Sequence, residues 1–184
     1  MRQFASRTTQ VILLLFLAGY SEEVLAATYE WIGSSGDWDT TSPNWLGPQS
    51  TWPAAGADND ALFGFTGGTV VIAGGIAVND LSFTAPGYRV QGDALTITGS
   101  SSITIDRELS VTIACEIAGA AGIILAGPGT LSLRSASTYT GPTRVNAGTL
   151  KVTGSGRLYS GAVHRSPWRA ARLSTSSPLV STRP

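Results

Sequence analysis

Gly129-Thr130-Leu131-Ser132-Leu133 returns nineteen residues later as Gly148-Thr149-Leu150-Lys151-Val152, and this echo decides the fold. Each copy alternates apolar and polar residues after a glycine, the pattern of a half-buried β-strand. A period near twenty, with strands and tight turns but no helical pattern, predicts one coil of a β-solenoid per repeat. An isolated coil cannot shield its inward aliphatic side chains. Each is worth roughly 2 kcal/mol when buried, less than the cost of ordering the chain that carries it. Several coils must therefore stack.

The same pattern extends on both sides of the echo. Alternating runs rich in Val, Ile and Thr are expected at 69–72, 76–83, 88–90, 94–98, 102–105, 109–117, 122–125, 130–133, 143–145 and 149–152, separated by Gly, Asn, Asp or Ser. No helical period appears beyond the leader, so the fold class is all-β, a β-solenoid of about four or five coils. Only 13% of residues are charged and 22 are glycine. Such a chain is too apolar and too regularly patterned to be a disordered linker.

The ends read differently. Arg2 and Arg7 precede the apolar run Val11-Ile12-Leu13-Leu14-Leu15-Phe16-Leu17-Ala18, and Val24-Leu25-Ala26-Ala27 supplies small residues for cleavage after Ala26 or Ala27. This is the grammar of a signal peptide at 1–26, read by the secretion machinery, and it predicts export. Residues 27–67 hold four of the five tryptophans and form an aromatic-rich N-terminal cap segment; the solenoid repeats occupy 68–160. All glycines lie at or before Gly161, and the segment 161–184 leaves the pattern, which predicts a disordered or frameshifted tail. Nothing after Gly161 has the alternating ten-residue strands of a translocator barrel, so the chain reads as truncated.

The stretch from Gly127 to Val152, with Ser137-Thr138-Tyr139-Thr140-Gly141-Pro142-Thr143-Arg144-Val145-Asn146-Ala147 between the two echoes, resembles the autotransporter-associated β-strand repeat. The residues that carry the resemblance are Gly129, Leu131, Leu133, Tyr139, Gly141, Val145, Asn146, Gly148, Leu150 and Val152. It implies a right-handed parallel β-helix passenger, displayed on or released from a bacterial outer membrane. Within such a repeat Leu131, Leu133, Leu150 and Val152 fill the inside, and Gly141 and Gly148 permit tight corners. Asn146 is expected to take a left-handed turn or to ladder with an Asn of a neighbouring coil. Pro142 stands where the repeat usually has a second glycine, a change that a turn accepts.

Chemistry is sparse. Asp37/Asp39 and Asp58/Asp60 are carboxylate pairs spaced i, i+2, but their Gly, Asn, Pro and Ser neighbours read as turns that Asp caps. The one histidine, His164, lies in the off-pattern tail, and no nucleophile elbow, phosphate loop or metal cluster is spelled out. The lone Cys115 shares parity with Val111, Ile113 and Ile117 and reads as a small buried hydrophobe. No catalytic residue, cofactor or metal is expected. Every acidic residue lies at or before Glu116, with eight Lys/Arg after it, yet these cations are singletons without interleaved aromatics, and nucleic acid is not an expected partner. Trp31, Trp38, Trp45 and Trp52 are read as a seal over the first coil, with a carbohydrate-stacking platform as the other reading. The function expected is a secreted or surface-displayed, adhesin-like structural passenger segment without catalytic activity; partners of the surface-glycan or host-ligand kind are left open. The alternative is a secreted β-helix protein that binds or degrades polysaccharide.

Overall fold

The protein is described here by a computed structural model, which covers residues 26–54, 59–158, 164–165 and 172–175. The expected signal peptide, apart from Ala26, and Asp58 lie outside the described residues. All regular elements among them are strands. The first coil supplies β1 (Thr28–Trp31) and β2 (Gly36–Trp38), followed by the short β3 (Trp45–Leu46). Three complete three-sided coils come next. They are β4 (Asp60–Phe63), β5 (Thr69–Ile72) and β6 (Ile76–Val78); β7 (Leu81–Phe83), β8 (Arg89–Gly92) and β9 (Leu95–Ile97); then β10 (Ser101–Ile105), β11 (Ser110–Ile113) and β12 (Ile117–Ala118). The stack continues with β13 (Ile123–Ala126), β14 (Thr130–Leu133), β15 (Thr143–Val145), β16 (Thr149–Val152), β17 (His164–Arg165) and β18 (Arg172–Thr175).

These strands form three ladders, one per side. The first runs β3-β1-β4-β7-β10-β13-β15-β17, the second β2-β5-β8-β11-β14-β16-β18, and the third β6-β9-β12. Apart from β3 against β1, neighbours in a ladder belong to successive coils and therefore run parallel; this is a β-solenoid of about five turns, as the sequence predicts. The two echoed pentapeptides lie directly over one another, with Leu131 opposite Leu150 and Leu133 opposite Val152. Beyond β12 the third side is held by Thr138 N–H donating to the Ile117 carbonyl and by the bridge between Ala136 and Arg157.

The alternation seen in the sequence becomes alternation of burial. In β4, β5 and β14 every second residue is buried, and the buried set from all three sides makes one continuous core. Inward side chains stack in columns on the inward side chains of the neighbouring coils. Phe63 and Phe83, one coil apart, stack with ring centroids 4.6 Å apart and planes 8° from parallel. At two corners of the matched repeat there is no room for a side chain. Gly148 sits at φ +74°, and a Cβ there would lie 2.3 Å from the Gly129 carbonyl oxygen of the coil below. A Cβ on Gly141 would lie 2.1 Å from the Gly122 nitrogen, so both motif glycines hold close backbone approaches.

Three expectations change. The runs at 76–83 and 109–117 are each two strands, because a coil of about twenty residues closes only by turning every few residues. Asn146 is exposed and takes no left-handed conformation. The left-handed residue of that corner is Gly148, and Asn146 instead donates its backbone N–H to the Leu125 carbonyl, with Ala126 at the matching position one coil below. The aromatic segment 27–67 is built into the ladders through β1, β2 and β4 as well as supplying a cap. Within 161–184 the described residues are those of β17 and β18, which pair with β15 and β16.

Leu131→Ala and Leu150→Ala should each lower stability by about 2–5 kcal/mol, as expected for a large-to-small change in a packed column. Gly148→Ala should also destabilise, by strain at a positive φ and the clash with Gly129. Denaturant midpoints of the purified chain measure all three, and an unchanged midpoint for Gly148→Ala would contradict the close approach.

Candidate functional site

The aromatic end is the most elaborate part of the molecule. Tyr29 pairs with Ala61, thirty-two residues on, whereas Ala61 pairs with Leu81 only twenty on. The extra length is the excursion through β3 and Trp52. β3 pairs antiparallel with β1, placing Trp45 opposite Trp31, the only antiparallel pair in the described ladders. Pro43 and Pro48 flank it, so the edge it presents is two residues long and poorly suited to recruiting another strand.

Trp31, Trp38, Trp45 and Trp52 are 0, 0, 1 and 2% exposed. Their rings pack on each other and on Phe63, with Trp31–Trp45 at 5.1 Å and 79° and Trp38–Trp52 at 5.0 Å and 76°, edge-to-face arrangements that suit the ring quadrupoles. Trp52 anchors the excursion to the third side by donating its Nε1–H to the Ala77 carbonyl at 3.1 Å. The indole N–H groups of Trp31, Trp38 and Trp45 have no hydrogen-bond acceptor. None of the four rings presents an open face on which a sugar could stack. Closing an apolar stack requires burying both faces of the lid, and these side chains are that lid.

The carboxylates are engaged in backbone capping. Asp39 Oδ1 accepts the N–H groups of Thr41 at 2.7 Å and Ser42 at 2.5 Å, and Oδ2 accepts the Ser42 hydroxyl. The hydrogen bond from the Ser42 backbone, more than any other contact, lowers the Asp39 carboxyl below the ordinary range. Asp37 is exposed. Asp60 Oδ1 accepts the Asn79 amide at 2.9 Å and the Asp80 N–H at 3.1 Å, and Asp80 Oδ1 accepts the Ser102 N–H at 2.7 Å. Successive coils are thus stapled at one corner by carboxylates. This ladder was not anticipated, although its signal is plain: Asn59-Asp60-Ala61-Leu62-Phe63 returns as Asn79-Asp80-Leu81-Ser82-Phe83.

Other reactive groups are buried in the column. The Cys115 thiol is 3% exposed and burial pushes it up to about 11, which leaves it protonated and inert. Tyr139, a motif residue, is fully buried, shares a 2.6 Å hydrogen bond with the Thr143 hydroxyl and is pushed up to about 12 by burial. Leu131, Leu133, Val145, Leu150 and Val152 are buried as the motif requires. Among the described residues no group of three or more His, Cys, Asp or Glu side chains is placed to hold a metal.

What remains for recognition is the outer surface of the ladders. On the first side one outward column reads Thr28, Asp60, Asp80, Ser102, Ile124, Arg144 from coil to coil. On the second side Arg89, Thr112, Ser132 and Lys151 align in the same manner. The first-side column therefore passes from acidic to basic along the axis, whereas the second-side column carries a cation at each end.

Residues 123–152, which run from β13 through β16, match the Passenger-associated-transport-repeat. Over 156 residues the chain is 36% identical to the Adhesin BmaC autotransporter of Brucella suis biovar 1 (strain 1330), an alignment that covers 80% of this chain and 4% of that protein. The chain thus spans a small fraction of the curated relative it matches. No solved structure matches the chain.

Trp38→Ala should lower stability by about 3–5 kcal/mol, read as an earlier denaturant midpoint. An unchanged midpoint would show that the lid is dispensable. Because the Asp39 pKa is depressed in the folded state, its stabilisation is present above the ordinary carboxylate range and is lost as pH falls through the folded value. Asp39→Asn should therefore melt below wild type at pH 7, and the difference should shrink under acid. A constant difference across pH 7 to 3 would contradict the capping role.

Proposed function

We propose that this chain, an autotransporter passenger-repeat protein, is an exported and surface-displayed segment of an adhesin-like passenger. It acts by presenting a rigid side to its surroundings, not by turning over a substrate. One observation carries the reading. In β14 and β16 the ladders alternate between a buried apolar inside and an outside of Thr, Ser and Lys, and the matched repeat includes both strands. The name of the relative, an adhesin, supports the same class of role.

The absence of catalysis belongs to this reading and is supported by how the acids are used. Asp39, Asp60 and Asp80 are engaged with backbone N–H groups of turns and corners. A glycosidase needs two carboxyls facing one bond, one of them with a raised pKa. The carboxyl whose pKa is displaced here, Asp39, is displaced downward.

Antibody raised against 69–152 should label unpermeabilised source cells, and external protease should remove the label. Labelling only after permeabilisation would reject display. Purified chain incubated with neutral and acidic polysaccharides should release no product above the blank. Product whose formation is abolished by Asp60→Asn would reject the non-catalytic reading.

A further inference from the structure

A hollow of about 320 Å³ opens on the first side of the stack, where the strands β13 and β15 lie one above the other. Ser100, Gly122, Ile124, Pro142, Arg144 and Asn146 line it. Its shape follows from the corner below it. Gly122 and Gly141 let two coils approach so closely that neither carries a side chain there. Ile124 and Arg144 are register partners and point outward, because their neighbours Ile123, Leu125, Thr143 and Val145 are all buried.

The lining has a particular chemistry. Ile124 and Pro142 offer a small apolar floor. Asn146 and Ser100, both exposed, offer amide and hydroxyl groups. Arg144, exposed, has no ion-pair partner among the described residues. Every acidic residue of the chain lies at or before Glu116, so the coils that carry β13 and β15 hold none, and Asp106, Glu108 and Glu116 belong to the coil of β10 to β12 beneath them. In the same outward column the first carboxylate below Arg144 is Asp80, three rungs away, or roughly 14 Å at the usual strand spacing. That exceeds the screening length in physiological salt, and Asp80 is occupied with Ser102. An unpaired guanidinium beside an apolar floor and neutral hydrogen-bonding groups is complementary to a carboxylate carried on a ring with one apolar face.

We infer that this hollow is a binding site for a carboxylated sugar, a uronate unit of an acidic glycan, with Arg144 taking the carboxylate. The pyranose C–H face lies on Ile124 and Pro142, and ring hydroxyls meet Asn146 and Ser100. The site is of the size that takes one or two sugar rings, at the small end of ligand hollows. It is distinct from the tryptophan lid at the other end of the described stack. The inference goes beyond the display reading and does not depend on it, since binding is read on the purified chain.

The test is calorimetric titration of the purified chain with a tetrasaccharide of alternating glucuronate and N-acetylglucosamine. The carboxyl-reduced tetrasaccharide serves as the neutral control. Wild type should bind the acidic form, and Arg144→Gln and the carboxyl-reduced ligand should each weaken binding at least about tenfold. Arg134→Gln, on an exposed cation after the second-side strand β14, should leave it unchanged. Ile124→Glu, which sets a carboxylate in register with Arg144, should abolish binding while melting as wild type. No binding by wild type, equal binding of the reduced ligand, or equal loss from Arg134→Gln and Arg144→Gln would each overturn the site. Surface labelling of cells would be unaffected by any of these outcomes.

Discussion

An inward side chain within the stack of this protein rests on inward side chains of the coils above and below it, and that vertical contact is the constraint on which the structure rests. A strand of three or four residues buries two side chains at most, too few to hold it in place. The parallel ladders convert many such strands into three continuous walls around one core. Corners must then repeat with the same period as strands, or the columns fall out of line. The tight backbone approaches at Gly141 and Gly148 answer that requirement, and so does the carboxylate stapling at Asp60 and Asp80.

Stacking leaves an exposed first layer, and the aromatic excursion closes it. A parallel strand at that position would only have created another edge. β3 instead comes back antiparallel and lays Trp45 across Trp31. The density of large rings there follows from geometry, since a lid must cover the open cross-section of a coil with few residues. Three indole N–H groups without acceptors are the cost of filling that cross-section with tryptophan.

Much of this was legible in the sequence because period-2 alternation and the nineteen-residue echo are both one-dimensional signals. The strands β5, β14, β15 and β16 fall where the alternation places them. What was not legible is where a coil turns. From Val111 through Ile113 and Cys115 to Ile117 the inward parity runs unbroken through a corner, so nothing in the pattern marks the bend between β11 and β12. Register across coils was hidden for a related reason: spacings of nineteen, twenty, twenty-two and twenty-three residues all occur between paired strands. The hollow beside Arg144 depends on which outward residues are stacked, and sequence alone does not align Ile124 with Arg144. The burial of the tryptophans was foreseeable in kind, and their mutual packing was not.

The Asn-Asp corner has a consequence for how long such a molecule can be. An aliphatic column gains from every added copy of itself, but a column of carboxylates brings like charges to within one strand spacing at each step. The Asp60–Asp80 device therefore works for two coils and stops, giving way to Ser102 and then Ile124 at the same position. Cohesion inside is open-ended while the fastening at this edge is self-limiting, so a filament of this type must change its stitching as it lengthens.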